Sequence, residues 1–431
     1  MHDSGVYLGI DLGTSGCRGC AIDDTGAVLG RSVVPLPASR RHGERHEQDP
    51  QGWWTAVIEA LHALVRATPT RRARALAVAG TSGTLLLTDA EGRPLGPALM
   101  YDDARSRAQA AVLARLAPAA SGAHGTGSSL AKLLYLAEHQ PSTRARHALH
   151  PADWIAGRLS GRFGVSDENN SLKLGYDPLQ RGWPDWLRQT GLPREWLPEV
   201  VPAGTPLGPI TRAAAQACGL PEDLIIVAGT TDSTAAFIAT GAGTPGEAVT
   251  SLGSTLVLKV LSEQPVFAPE HGVYSHRLGE RWLAGGASNS GGAVLRRYFS
   301  QEQLDALTPA LKPDRPTGLD YYPLTAAGER FPICDPELPP RLAPRPESDV
   351  VFFQAMLEGM AVIEQRGYRL LAELGAPYPV SVRSVGGGAR NPAWARIRQR
   401  LLNVPVIEPA QQDAAYGCAM LARRSMATNA T

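Results

Sequence analysis

Apolar residues near the start of the chain come in short runs broken by glycine and aspartate, the pattern of strands joined by tight turns. Val6 to Asp11 is such a run, ends in an acid and is followed by Gly13-Thr14-Ser15-Gly16. Cys17 to Ile22 is a second, closed by Asp24-Thr25-Gly26, and Ala27 to Val34 is a third, so the spacing predicts a β-meander. The period then changes. From Gln51 to Arg66, the residues Trp53, Trp54, Val57, Ile58, Leu61, Leu64 and Val65 form a stripe at helical spacing. Ala75 to Ala79 predicts a strand, and Thr84 to Thr88 with the turn Asp89 to Arg93 predicts a second hairpin. Antiparallel strands followed by a helix and a strand depart from the strict βαβ alternation of a dinucleotide-binding domain.

The plan recurs after about residue 228. Ala248 to Leu252 and Leu256 to Leu261 read as strands around Gly253-Ser254-Thr255. Asp11-Leu12-Gly13-Thr14-Ser15 and Ser251-Leu252-Gly253-Ser254-Thr255 look like two versions of one hairpin, the first with an acid where the second has a serine. Such a repeat predicts two similar domains, set at 1–227 and 228–431, with ligands between them. Two stretches rich in proline, 184–209 and 311–346, carry aromatic residues (Trp186, Trp196, Tyr321, Tyr322, Phe331), which predicts ordered connections rather than disordered linkers.

Composition narrows the class. The 431 residues exceed one compact core, 43% are hydrophobic and 19% charged, and the formal net charge is +1. No field of one sign draws nucleic acid or an acidic membrane surface. The first residues show no secretory signal and no apolar run is long enough to span a bilayer, so the expected location is the cytoplasm. Five cysteines, an odd number in a long chain, do not suggest a disulfide framework. Cys17 and Cys20 spell C-x-x-C, but on a predicted strand they point to opposite faces, so they read as buried thiols.

Four turns carry candidate chemistry. In Asp11-Leu12-Gly13-Thr14-Ser15-Gly16, successive N–H groups and two hydroxyls suit an anion, and the carboxylate suits Mg²⁺ held against phosphates. Gly253-Ser254-Thr255 offers a second phosphate turn. Gripping phosphates from two sides is what phosphoryl transfer requires, since its catalysis is mostly positioning and charge neutralisation. Leu224 to Ala228 predicts a buried strand, then Gly229-Thr230-Thr231-Asp232 opens a helix from Thr234 to Ala239. Asp232 reads as its N-cap, kept ionised by the helix dipole and suited to act as a general base. Finally, the predicted strand Ser381 to Val385 leads into Gly386-Gly387-Gly388-Ala389-Arg390-Asn391, with Pro392 opening a helix. Three glycines let the backbone approach a flat ligand such as adenosine. The G-x-G-x-x-G at Gly241, Gly243 and Gly246 follows a helix and precedes a strand, the reverse of a dinucleotide fingerprint. There is no P-loop motif, and the ten histidines show no paired metal spacing.

These motifs, with Glu47-Gln48-Asp49-Pro50 and Trp53-Trp54, resemble in order and over nearly the whole chain the FGGY carbohydrate kinases, of the actin-like and Hsp70-like ATPase fold. The resemblance implies an α/β chain of two ribonuclease H-like domains flanking a deep cleft, with sugar bound mainly by the first and ATP mainly by the second. It also implies Asp232 as catalytic base, and Asp11 as the acid near Mg²⁺ and sugar. Thr14 and Ser15 fall in the first phosphate turn, and Gly253, Ser254 and Thr255 in the second. Gly387, Gly388 and Asn391 fall at the adenosine site, with Trp394 packing on the adenine. The expected partners are a small sugar and ATP, with neither nucleic acid nor membrane and with a homodimer left open.

The chain departs from the xylulose kinases of that family. Where they typically carry a Met-His-Gly-Gln-like stretch, it has Gly80-Thr81-Ser82-Gly83-Thr84. With Ser166-Asp167 and Asn169-Asn170, this variant resembles the short subgroup of cyanobacterial and plant sugar kinases acting on D-ribulose, which implies that Ser82 hydrogen-bonds a sugar hydroxyl. D-Ribulose is thus the favoured substrate, D-xylulose or another ketose or polyol the alternative, and a sugar-independent ATPase or regulator the third reading.

Overall fold

The computed structural model describes residues 5–140 and 143–428. The chain forms two compact units, one comprising residues up to Ala239 together with those from Asp413 onward, the other Thr240–Gln412.

The sheet of the first unit contains β1 (Val6–Leu12), β2 (Gly16–Asp23), β3 (Val28–Pro35), β4 (Ala73–Gly80), β5 (Pro206–Pro209) and β6 (Ile225–Thr231), ordered β5-β6-β4-β1-β2-β3. The predicted meander is present: β1, β2 and β3 pair antiparallel, while β4 lies parallel to both β1 and β6. Every residue of β1 is buried, as befits a central strand covered on both faces. The helix Pro50–Ala67 is capped by Asp49, which accepts the N–H of Gln51, and Pro50 starts its first turn. Its buried Trp53, Val57, Leu61 and Leu64 pack with β1 residues in one core.

One expectation is corrected here. The boundary at 227/228 would cut β6, and the C-terminal helix Ala414–Thr428 belongs to the first unit. That helix packs small buried residues, Ala415, Cys418, Ala419 and Ala422, against β1, β4 and the helix Asp232–Ala239. The second expected hairpin is present: Asp89 Oδ1 accepts the N–H groups of Glu91 and Arg93, and the chain pairs back across the turn through Thr88–Pro94 and Leu85–Leu99. The strand Leu86–Thr88 also pairs with His147–Leu149 from far along the chain.

The second unit repeats the plan with β7 (Glu247–Leu252), β8 (Leu256–Ser262), β9 (Tyr274–Leu278), β10 (Arg281–Ser288), β11 (Ser381–Val385) and β12 (Val406–Ile407), ordered β9-β10-β8-β7-β11-β12. Again an antiparallel group (β7, β8, β10, β9) adjoins parallel strands (β11, β12). The long helix Asp349–Glu373 supplies Phe352, Phe353, Met356, Leu357 and Met360 to its core. Tyr321, Tyr322 and Phe331 are buried there too, so the proline-rich stretch that carries them is ordered. A bidentate ion pair, Arg398 Nε to Glu364 Oε2 and Nη2 to Oε1 at 2.7 Å each, is fully enclosed. Thr250 of β7 donates to Glu364, and Arg398 donates to Ser384 of β11. Charge-assisted bonds of this kind fix geometry firmly, and these hold in register the two strands that lead into the glycine turns.

The five cysteines are free thiols, and burial pushes Cys17 and Cys20 up to about 12. Among the described residues, no helix is long and apolar enough to cross a membrane.

Candidate active site

In the first unit, three strands end side by side. Register places Asp11 of β1 next to Ala79 of β4, which in turn lies next to Thr230 of β6. The chain leaving β4 forms the turn Gly80–Thr84, and the chain leaving β6 reaches Asp232 one residue later. Asp11 is buried; its Oδ2 faces Arg18 Nη1 at 3.4 Å across the β1–β2 ladder, while Oδ1 has no partner among the described residues. Burial, and then repulsion from the Asp232 charge, pushes the Asp11 carboxyl up to about 7. The two carboxylates that the sequence singled out therefore share one site.

Asp232 does not cap its helix. Thr231 Oγ1 takes that role, accepting the N–H of Thr234 at 3.4 Å, and Asp232 is the first residue of Asp232–Ala239 with its Oδ1 accepting the N–H of Ser233 at 2.6 Å. Ser82 is half-buried in a turn held by the Thr81–Thr84 hydroxyl bond, 2.8 Å long. Its carbonyl accepts from Lys173 Nζ at 3.4 Å. Burial lowers the Lys173 ammonium below its usual range, and the Asp232 carboxylate opposes the shift. A second amine, Lys132, is enclosed and donates to the carbonyls of Tyr101 and Thr126; burial, then repulsion from Lys173, brings it down to about 7.

The first phosphate turn is held from outside. Gln48 Nε2 donates to the Thr14 carbonyl at 2.8 Å and is itself oriented by Trp53 Nε1 at 2.9 Å; Ser15 accepts the N–H of Leu36 through its carbonyl. The hydroxyls of Thr14 and Ser15 carry no bond to another described residue.

In the second unit a cavity of about 430 Å³ is lined by Gly253, Ser254, Gly387, Gly388, Asn391 and Trp394 together with Arg296, Gln301, Asp305, Thr308 and Arg390. Six of the nine residues expected at the nucleotide thus line one cavity wall, Thr14 and Ser15 belonging to the first unit. Thr255 is not on it: Gly291, at φ +146°, packs so tightly over Thr255 that a Cβ there would lie 2.7 Å from its Cα. Gly292 and Ala293 donate to the carbonyls of Gly253 and Ser254 at 2.9 and 3.1 Å, fixing the turn. Asn391 caps Pro392–Leu402 by accepting the N–H of Trp394, and its Nδ2 donates to Thr308. The Trp394 ring is buried against Gly388, whose Cβ, if present, would lie 2.4 Å away. Trp394 underlies the glycine turn as well as lining the cavity, and a volume of this size fits a nucleotide-sized ligand.

Sequence reasoning missed Arg18, Lys173 and Arg296. The hairpin register alone sets Arg18 across from Asp11. Arg296 follows Gly291-Gly292 on the helix Gly292–Tyr298, a glycine pair ahead of a helix that resembles the other site turns. Its Nη2 donates to Ser254 Oγ at 2.8 Å, and it makes no ion pair among the described residues. Lys173 has no local signal, for it arrives from a distant segment.

The residues present fit Mg²⁺ bound with phosphates. Among the described residues no three His, Cys, Asp or Glu side chains form a dedicated metal cluster, while Asp11 offers a buried, unpartnered oxygen. One carboxylate, with water and phosphate oxygens completing the shell, is the usual arrangement for this ion.

Paired carboxylates at strand ends in one unit and a glycine-walled cavity in the other define a phosphotransferase of small molecules. The family models for the FGGY family of carbohydrate kinases match this chain at residues 6–239 (N-terminal domain) and 248–426 (C-terminal domain), and the chain belongs to that family. It is 28% identical to the xylulose kinase of Escherichia coli over 93% of this chain and 84% of that protein. It is 27% identical to the autoinducer-2 kinase of Yersinia enterocolitica over 97% and 86%. The crystal structure of a xyloylose kinase from Brucella ovis superposes with a TM-score of 0.89 at 29% identity, covering 98% of this chain and 91% of that one. The fold is the two-domain actin-like kinase fold, and the protein is an ATP-dependent carbohydrate kinase.

Proposed function

We propose that this kinase phosphorylates a free ketopentose, D-ribulose, with Asp232 as general base. The convergence of Asp11, Asp232, Lys173 and the Gly80–Thr84 turn at three strand ends carries this reading. A sugar hydroxyl held at Asp232 gives up its proton there as its oxygen attacks the γ-phosphorus, and the bond to the bridging oxygen of ADP breaks. Ser82 and Lys173 orient neighbouring sugar oxygens. The hydroxyls and N–H groups of Thr14 and Ser15 form the phosphate turn of the first unit, and the Gly253–Ser254 turn with Arg296 forms that of the second. Asp11 would hold Mg²⁺, which would supply charge neutralisation on the phosphoryl oxygens.

D-Ribulose is favoured because the turn at the end of β4 is Gly80-Thr81-Ser82-Gly83-Thr84, a small hydroxyl-bearing surface that resembles that of the short D-ribulose kinase subgroup. D-Xylulose is the second reading, favoured by relatives that are named xylulose kinases. An ADP-release assay with MgATP across D-ribulose, D-xylulose, L-ribulose, L-xylulose, glycerol and gluconate separates them. Preference for D-ribulose in kcat/KM supports the first, preference for D-xylulose overturns it, and ADP release that no sugar accelerates points to a sugar-independent ATPase.

A further inference from the structure

The strand that delivers Asp232 is irregular. Val227 pairs with Ala77 and Thr230 with Ala79, so three steps along β6 match two along β4 and the strand carries a one-residue bulge. Gly229 makes the bulge possible, since a Cβ there would lie 1.7 Å from the Val78 carbonyl oxygen. A bulge re-aims the residues that follow it, but its extra residue leaves the local ladder less well determined. The ladder resumes with Thr230 beside Ala79 and Thr231 beside Gly80, and a second restraint acts on the same strand end.

That restraint is a side-chain bond from outside the sheet. Thr230 is fully buried, and its Oγ1 accepts from Asn169 Nδ2 at 3.0 Å. Asn169 is equally enclosed, on the short helix Glu168–Ser171, and its N–H donates to Asp167 Oδ1 at 2.8 Å. Asp167 also holds Asn170, through Oδ1 to the N–H at 3.3 Å and through Oδ2 to Nδ2 at 2.6 Å. The strand Val165–Asp167 is paired in turn with Glu199–Val201. The clamp is therefore anchored on a segment whose own backbone is bonded, and it closes two residues before Asp232.

We propose that Asn169 is a positioning residue for Asp232, acting through the Thr230 hydroxyl to lock the bulged end of β6. Asn169 is enclosed, and it acts on Asp232 by way of Thr230. The inference rests on Asp232 being the base, and misplacement of a reacting group by about 1 Å costs up to about 100-fold in rate.

Thr230→Val removes the hydroxyl at nearly constant volume, Thr230→Ser keeps it, and Asn169→Ser breaks the same bond from the other side. Steady-state kinetics of each, alone and combined with Asp232→Asn, provide the test. We expect Thr230→Val and Asn169→Ser to lower kcat about 10- to 100-fold with KM for MgATP within about twofold. Thr230→Ser should stay within about threefold of the parent, and neither damaging change should lower the residual turnover of Asp232→Asn further. A parent-like kcat in folded Thr230→Val or Asn169→Ser overturns the proposal. So does an equal fractional loss in the Asp232→Asn background, because a merely structural defect adds to the loss of the base whereas a positioning defect vanishes with it. Should one variant fail to fold, the other reads the same bond. Full activity of Asp232→Asn by itself would instead refute the assignment of the base.

Discussion

The two units build the same pair of turns on the same strands and furnish them oppositely. Asp11 on β1 lies beside Ala79 of β4, and Ser251 on β7 lies beside Val385 of β11. Beyond β4 the chain continues as Gly80-Thr81-Ser82-Gly83, and beyond β11 as Gly386-Gly387-Gly388. In the first unit these positions gather two carboxylates, a lysine and hydroxyls; in the second they gather bare backbone with Arg296 on Ser254. The scaffold sets where a ligand can sit, at strand ends next to open backbone. On the proposed reading the side chains decide which ligand: hydroxyl-rich and proton-donating in one case, flat and polyanionic in the other.

The largest effect should come from breaking the first unit's chemistry alone. Asp232→Asn keeps the shape and removes the proposed base, so we expect kcat to fall about 10²- to 10⁴-fold. Affinity for ADP, measured by calorimetry, should stay unchanged because the glycine-walled cavity belongs to the other unit. Joint loss of turnover and nucleotide affinity would show that the division of labour is not as clean as the residues suggest.

The converse change is Arg296→Ala in the second unit. A charge-assisted hydrogen bond contributes about 1.5–3 kcal/mol, which corresponds to roughly a tenfold or greater rise in KM for MgATP. The KM for sugar should not move. Binding of adenosine should also be unaffected while that of ADP weakens, since adenosine has no phosphate for the guanidinium to meet. Equal losses for both ligands would mean that Arg296 merely shapes the helix Gly292–Tyr298.

How far the sequence carried this comparison depended on how local each cause was. Strands and turns set by neighbouring residues, such as Val6 to Leu12 with its Gly-Thr-Ser turn or Ser381 to Val385 with its glycines, were readable, as were the Asn391 cap and Pro392. Asp232 was legible as a site acid but not in its local role, because Thr231 offers the shorter hydroxyl and takes the cap. The unit boundary failed because the C-terminal helix docks by close packing of small residues on β1, which no periodicity announces. Lys173 was invisible as a site residue, and Asn169 was legible only as part of a motif and not in its bond to Thr230, because each reaches the strand ends from a short helical segment far away in the chain.

The smallest effect is thermal, and it tests whether burying an acid at the first turn costs stability that the serine of the second avoids. Asp11 ionises in the unfolded chain near pH 3.9, the ordinary aspartate value, and near 7 in the folded one. Between those values the folded state binds the proton that the unfolded state has released, so stability falls as pH rises across this window and levels off above the folded value. Asp11→Asn mimics the protonated form and makes the first turn as neutral as the second. In metal-free protein the two melting curves should therefore coincide near pH 4, and the variant should melt higher by roughly 2–4 °C or more at pH 8. Curves that run parallel from pH 4 to 8 would mean that Asp11 titrates normally, with water or Arg18 already compensating its charge. Adding Mg²⁺ and ADP should then narrow the gap at pH 8 for the parent only, because the ionised carboxylate gains a partner that the amide cannot hold as well.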